Sequence, residues 1–201
     1  VLAALKERGL KATFFVCGPD VPDRRKLIKQ AFDEGHAIGL HCLSHRLKTL
    51  YASEERFFED FDALERMVKE TTGVQTTAYR FPGGTDNGFV TRELSDRIID
   101  RLRNRGYEYY DWNAISNDDA RPTAENIAAS VLASCRMRYG ARTQSIVLLH
   151  DSEGRYTTGD AVPILLDALL LDGCSFAPIS FDIVPVHLLK RSDPASPATG
   201  S

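Results

Sequence analysis

The chain repeats one pattern, in which a charged segment with helical spacing of apolar residues is followed by a glycine and a short apolar run. The segment from Phe57 to Val68 shows it best, because its apolar residues recur every three or four positions and share one helix face. Ser53 and the two acids after it predict an N-cap and first turn. Each glycine stands where a left-handed backbone ends a helix. These glycines are Gly9, Gly35, Gly73, Gly106, Gly140 and Gly173.

The apolar runs after these glycines predict short strands that protein covers on both faces. Regular alternation of helix and strand indicates parallel strands joined by right-handed crossovers. The sequence has neither a G-x-G-x-x-G nor a G-x-x-x-x-G-K-[ST] motif, which favours a barrel over an open nucleotide-binding sheet. We expect one domain over residues 1–182, ending in a strand at 174–180, and an extended, mobile tail rich in Pro, Ser and Ala over residues 183–201.

Composition narrows the class of protein. Of the 201 residues, 43% are hydrophobic and 26% charged, and the net charge of −3 argues against a nucleic-acid partner. No apolar run approaches the roughly 20 residues of a transmembrane helix. The four cysteines form no C-x-x-C pair, so neither a zinc ribbon nor a thioredoxin-like site is predicted. Most are expected to be buried thiols, although the sequence leaves a disulfide open.

Reactive side chains cluster at the predicted carboxyl ends of the strands. These residues are His41, His45, Arg80, Asp111, Trp112 and His150. In a parallel barrel such ends converge on one mouth, where active sites form. His41 and His45 are four apart, so both imidazoles can reach one metal ion if the chain turns helically. Catalytic zinc takes three protein ligands, and the third is not evident here. His36 and His187 lie away from these ends and are expected to be structural.

Four ordered segments carry a family resemblance: HCLSH, RFPGG, DWN and IVLLHD, with GLKATFFVCG before them. Together they resemble the polysaccharide deacetylases, the NodB-like carbohydrate esterases, and most closely their bacterial peptidoglycan N-acetylglucosamine branch. The resemblance implies a distorted parallel (β/α) barrel. It also implies metal-dependent removal of N-acetyl groups from a polymeric amino sugar, either peptidoglycan or a chitin-like polymer. By the same resemblance the protein acts outside the cytoplasm, secreted or associated with the cell wall.

The resemblance also assigns roles to the residues of these segments. His41 and His45 become ligands of a divalent metal ion, with zinc expected. His150 becomes the general acid for the leaving amine, with Asp111 hydrogen-bonded to it. Arg80 orients the catalytic base. Three further residues are implied to bind the substrate. Trp112 and Leu148 enclose the acetyl methyl group, and the backbone N–H of Gly83 contacts the oxyanion.

The sequence departs from this family at three places. The T-F-D-D-G strand, which supplies the base and a third metal ligand, is missing, so the barrel is expected to lack its first strand. We therefore expect a truncated form that is weakly active or inactive. Asp118 and Asp119 are not expected to replace these carboxylates, but to cap or solvate the next helix. Cys42 stands where relatives carry Ser or Thr, and Gly83 where many carry an aromatic residue.

Three alternatives stay open. A Ser-His-Asp hydrolase would use Ser44 or Ser152 near His150, but no G-x-S-x-G elbow is present. A relative from the same superfamily could hydrolyse a non-carbohydrate amide. A non-catalytic carbohydrate-binding protein would need no base at all, which the missing motif favours for this chain.

Overall fold

The computed structural model describes residues 1–19, 21–120, 122–139, 144–152, 154, 156–180 and 182–189. Helices and strands alternate along most of this chain, as the sequence predicts. The helices are α1 Leu2–Glu7, α2 Pro22–Asp33, α3 Leu47–Leu50, α4 Glu54–Thr72, α5 Arg92–Asn104, α6 Ala124–Tyr139 and α7 Tyr156–Leu171, with a 3-10 turn at Asp118–Ala120. The strands are β1 Thr13–Cys17, β2 Ala37–Cys42, β3 Ala78–Tyr79, β4 Glu108–Tyr109, β5 Ala114–Ile115 and β6 Val147–Leu148.

The strands form two parallel sheets. The first has the order β1-β2-β3-β4, and the second pairs β5 with β6. Parallel pairing confirms the predicted α/β class, and the arrangement is consistent with a distorted barrel. One predicted strand, at 174–180, is wrong, because these residues form no sheet ladder. They lie beside β1 instead, where the Ile179 N–H donates a 2.7 Å hydrogen bond to Thr13 Oγ1.

The long helix α4 forms as its sequence predicts. Ser53 Oγ accepts a hydrogen bond from the Arg56 N–H, and Gly73 ends the helix with φ 80°. Its apolar face, which includes Phe57, Phe61 and Leu64, is buried against the first sheet. A left-handed φ is found at all the predicted helix-ending glycines except Gly140, which lies outside the described residues.

The register of the first sheet places two site residues side by side. Leu40 of β2 is level with Tyr79 of β3, and the Arg80 N–H donates to the Leu40 carbonyl at 2.9 Å. His41 and Arg80, which follow these two residues, therefore leave neighbouring strands at the same edge. Among the helices described, none is long and apolar enough to cross a membrane.

Candidate active site

His41 occupies the end of β2, where a backbone carbonyl fixes its ring. Its Nδ1 donates a 2.7 Å hydrogen bond to the Arg80 carbonyl, which leaves Nε2 as the ring atom available to a ligand. Burial lowers the pKa of His41 to about 4, so the ring is neutral near pH 7. Charges on His45, Arg80 and His150 lower this pKa as well.

His45 follows in the loop after β2, with a left-handed φ of 51°. Its ring centroid lies 5.4 Å from that of His41, with an angle of 49° between the ring planes. Asp60 of α4 fixes the loop between them, because its carboxylate accepts from the N–H groups of Leu43 (2.6 Å) and Ser44 (3.1 Å). Sequence reasoning missed Asp60. The available signal was a carboxylate at the edge of the apolar stripe of α4.

The two imidazoles fit a divalent metal ion of the zinc type. Their ligand atoms and the Cys42 sulfur all lie within 4.8 Å of one another, and a fixed Nδ1–H is the usual partner arrangement of a metal-binding histidine. Over the part of the chain that the structure covers, this cluster includes no carboxylate. His41 and His45 could therefore hold a metal ion as two of the three protein ligands that catalytic zinc takes.

Arg80 is a buried cation beside this cluster. Its Nε donates to the Tyr110 carbonyl at 2.9 Å, and its guanidinium lies 4.2 Å from the centre of the Phe15 ring. Burial lowers the pKa of Arg80 to about 10, so the group is still charged at neutral pH. Within the described residues no carboxylate approaches the guanidinium to ion-pair distance, although Asp111 accepts from it at 3.4 Å through its backbone carbonyl. No ion pair within the described residues therefore neutralises the positive charge of Arg80.

His150 is held by Asp118, which corrects the predicted pairing with Asp111. The His150 Nδ1–H donates to Asp118 Oδ1 and the His150 backbone N–H donates to Oδ2, both at 2.8 Å. Ser116 and Thr158 also donate to this buried carboxylate. Burial alone would raise the pKa of Asp118, but these hydrogen bonds, from His150 above all, hold it well below its usual value. The expectation that Asp118 only caps or solvates a helix is also wrong.

Asp111 is occupied elsewhere. Its carboxylate, which is fully buried, accepts from the Thr85 N–H (3.0 Å), the Thr85 hydroxyl and the Leu188 N–H (2.8 Å). Its own N–H donates to the Val186 carbonyl. These bonds engage both carboxylate oxygens, so Asp111 joins the Gly83–Thr85 turn to the 183–189 segment instead of orienting His150. Residues 190–201, the rest of the predicted tail, lie outside the described residues.

Comparison with known proteins shows the family of this chain. The profile of the polysaccharide deacetylase family matches residues 1–110, more than half of the chain. The chain belongs to the polysaccharide deacetylase family.

Individual members of the family show the same likeness. A peptidoglycan-N-acetylglucosamine deacetylase of Bacillus cereus is 26% identical over 88% of this chain and 62% of its own length. The enzyme PgdA of Listeria monocytogenes, also a peptidoglycan-N-acetylglucosamine deacetylase, is 30% identical over 89% of this chain and 34% of its own length. This chain therefore spans less than two thirds of these curated relatives.

A solved structure also resembles this chain in shape. The catalytic domain of a peptidoglycan N-acetylglucosamine deacetylase from Eubacterium rectale superimposes with a TM-score of 0.84 at 27% identity, covering 95% of this chain and 86% of that domain. This likeness confirms that the two parallel sheets described above form a fold of the polysaccharide deacetylase type.

The three predicted substrate-binding residues have definite places in this deacetylase fold. The half-buried Trp112 ring lies 5.9 Å from the Arg80 guanidinium, and Leu148 lies in β6, level with Ile115 of β5. Gly83 has φ 80°, and in the described chain its N–H has no hydrogen-bond acceptor. Their contact with a substrate stays a prediction.

A second cluster contains potential metal ligands, namely Asp118, Asp119 and His150, whose ligand atoms also lie within 4.8 Å of one another. We interpret this cluster as a hydrogen-bonded network. Both oxygens of Asp118 already accept hydrogen bonds, and the Nδ1 of His150 is turned to Asp118. The arrangement fixes the His150 tautomer, because Nδ1–H is donated to Asp118.

Proposed function

We propose that this chain carries the active site of a metal-dependent deacetylase that removes N-acetyl groups from a polymeric amino sugar, with peptidoglycan favoured over chitin-like polymers. One observation carries the proposal: the His41–His45 cluster lies beside Arg80 at the end of β2, and His150, paired with Asp118, follows the end of β6. The names of the relatives supply the substrate class. Such a substrate puts the protein outside the cytoplasm, at the cell wall or secreted.

His41 and His45 would hold the metal ion, each through one ring nitrogen. When bound there, a divalent ion such as zinc lowers the pKa of water and polarises the acetyl carbonyl. The Gly83 N–H donates to the oxygen on which negative charge develops. The Arg80 guanidinium adds a fixed positive charge beside the reacting group, and Trp112 and Leu148 enclose the acetyl methyl group.

His150 would complete the reaction as general acid. Its Nε2–H gives a proton to the nitrogen of the amino sugar as the carbon–nitrogen bond breaks, and acetate leaves. Asp118 accepts the Nδ1–H throughout, which keeps the ring oriented and stabilises its protonated form. His150 and Asp118 therefore form one proton-transfer unit.

We infer that the 201-residue chain itself hydrolyses slowly. In the described residues the His41–Cys42–His45 cluster includes no carboxylate, and loss of a general base costs about 10²–10⁴ in rate. The same feature favours a second candidate, a relative that binds acetylated polysaccharide without hydrolysing it. A third, hydrolysis of a non-carbohydrate amide, has no structural observation in its favour.

The test is acetate release from N-acetylglucosamine oligomers and from peptidoglycan, with zinc added and with or without formate. Formate supplies a small carboxylate that the Arg80 cation can hold, so we expect slow release that formate raises about tenfold or more. His150→Gln should abolish the formate-dependent release. Binding of oligomers without any acetate release would favour the non-catalytic candidate, and equal release by wild type and His150→Gln would contradict the proposed mechanism.

A further inference from the structure

Two thiols lie side by side at the ends of β1 and β2, next to the histidine cluster. Cys17 and Cys42 are partners in the parallel register, and their sulfurs lie 3.3 Å apart. Adjacent strands are separated by about 4.8 Å, which lies within the Cα separation that a disulfide spans. Both cysteines are free thiols in the structure. A small local movement therefore suffices to join them.

The two thiols differ in accessibility. Cys42 is fully buried, whereas Cys17 is partly exposed at the last position of β1. The guanidinium of Arg24 donates to the Cys17 carbonyl, which puts a positive charge next to this thiol. A reagent from solution thus reaches Cys17 first, and Cys42 is placed to attack whatever forms on it.

We propose that Cys17 and Cys42 are a redox site, which closes to a disulfide by exchange with a low-molecular-weight disulfide such as oxidised glutathione. The Cys17 thiolate attacks one glutathione sulfur, forming a mixed disulfide and releasing one reduced glutathione. Cys42 then loses its proton and attacks the Cys17 sulfur, and the second reduced glutathione leaves. Two protein thiols are oxidised and one glutathione disulfide is reduced, so the electrons balance.

A disulfide between Cys17 and Cys42 would form next to the histidine cluster. Cys42 directly follows His41, and its sulfur is within 4.8 Å of the ligand atoms of His41 and His45. A disulfide brings the sulfurs from 3.3 Å to about 2.05 Å, so the Cys42 side chain or the end of β2 must move. Ligand distances in metal sites stay within about 0.2 Å of their usual values. Oxidation should therefore weaken metal binding. This consequence rests on the proposed function, but formation of the disulfide is independent of that function.

The first experiment incubates the metal-free 201-residue protein with oxidised glutathione and maps disulfides by mass spectrometry of peptides. We expect a peptide linked through Cys17 and Cys42 that dithiothreitol reverses. The matched control is a Cys135→Ala/Cys174→Ala variant, which must give the same linked peptide. Links that involve Cys135 or Cys174 alone, or persistent glutathione on Cys17 with no link to Cys42, would overturn the proposal.

A second measurement addresses the coupling to the metal site. Zinc affinity is determined for the oxidised and reduced protein, and for Cys17→Ser, which keeps a small polar side chain but lacks the thiol that starts the exchange. We expect at least a tenfold higher Kd for zinc in the oxidised protein, with the Kd of Cys17→Ser unchanged by glutathione disulfide. Equal affinities in the two states would overturn the coupling. If neither state binds zinc, the proposed metal site fails, while the peptide map still decides the disulfide.

Discussion

At the scale of single residues, the chemistry depends on which carboxylate faces which ring. Asp118 binds His150 through both oxygens, whereas the exposed Asp119 approaches the same ring only to 3.8 Å. The neighbouring acid thus provides a matched control for the charge at this point. Asp118 is a positioning residue, because it acts on the substrate only through His150.

We predict that Asp118→Asn lowers kcat for acetate release by about 10²-fold and leaves KM nearly unchanged. An amide at this position can present its N–H to Nδ1, which favours the wrong tautomer of His150. Asp119→Asn should change kcat less than twofold. The measurement is steady-state kinetics with zinc and formate present. Equal losses in the two variants would contradict a specific role for Asp118.

The same carboxylate predicts a pH dependence of folding. The pKa of Asp118 is lowered in the folded protein, so its stabilising contribution is complete above the unfolded value, near pH 4, and is lost as the pH falls further. The free energy of unfolding of the metal-free protein should therefore fall more steeply below pH 4 in wild type than in Asp118→Asn. Urea denaturation at several pH values measures it. Asp119→Asn should retain the wild-type slope, and an unchanged slope in Asp118→Asn would contradict the assignment.

The positions of candidate site residues were predicted from the sequence more accurately at strand ends than in loops. Short apolar strands end close to His41, Arg80 and His150. Parallel pairing of these strands is therefore enough to predict that the three residues lie at the same edge of the fold. Asp118 lies beyond β5 in a 3-10 turn, and the path of that turn depends on tertiary contacts. Asp111 seemed the better partner because it ends a strand. It is instead bound by Thr85 and Leu188, the latter 77 residues away, which no local pattern reveals.

At the scale of elements, α4 supports both the core and the active site. Ser53 caps its N-terminus, and Asp60 in its first half accepts hydrogen bonds from the loop that carries His45. The Ser53 hydroxyl accepts from Arg56 of the helix itself, whereas the Asp60 carboxylate contacts the loop. Stability of the helix and geometry of the loop can therefore be separated by mutation.

We predict that Asp60→Ala weakens zinc binding by about 10–100-fold, the usual effect of removing a residue that orients a metal ligand. Ser53→Ala should lower the free energy of unfolding by about 1 kcal/mol, through loss of the cap, with zinc affinity unchanged. Calorimetric zinc titration and urea denaturation of both variants provide the comparison. Equal zinc affinities in Asp60→Ala and wild type would show that the loop needs no support from α4.

Helices were predicted from the sequence more reliably than strands. The periodicity and terminal glycines of α4 and α5 are local signals, and both helices form as expected. Strand formation requires a partner, and the run at 174–180 has β1 beside it without a ladder. The four-residue helix α3 is too short to leave a periodic pattern. Local signals thus decide the helices, whereas long-range pairing decides the sheet.

At the scale of the whole molecule, the two parallel sheets place the candidate site residues at the carboxyl ends of β2, β3 and β6. His36 and His187 lie away from this site, as the sequence predicts. His36 Nδ1 accepts from the Ala12 N–H, and His187 stacks on Tyr109 beside Glu108. Because these two histidines are engaged in structural contacts, His187 provides a control for any test of metal binding.

Zinc binding by the 201-residue chain, measured by calorimetric titration and elemental analysis, tests the central assignment most directly. We predict one zinc per chain in wild type and in His187→Gln, and at least tenfold weaker binding in both His41→Ala and His45→Ala. His150→Gln should retain its zinc, because Asp118 and His150 form a hydrogen-bonded pair. Binding that survives loss of both His41 and His45, or that disappears with His150 instead, would contradict the account.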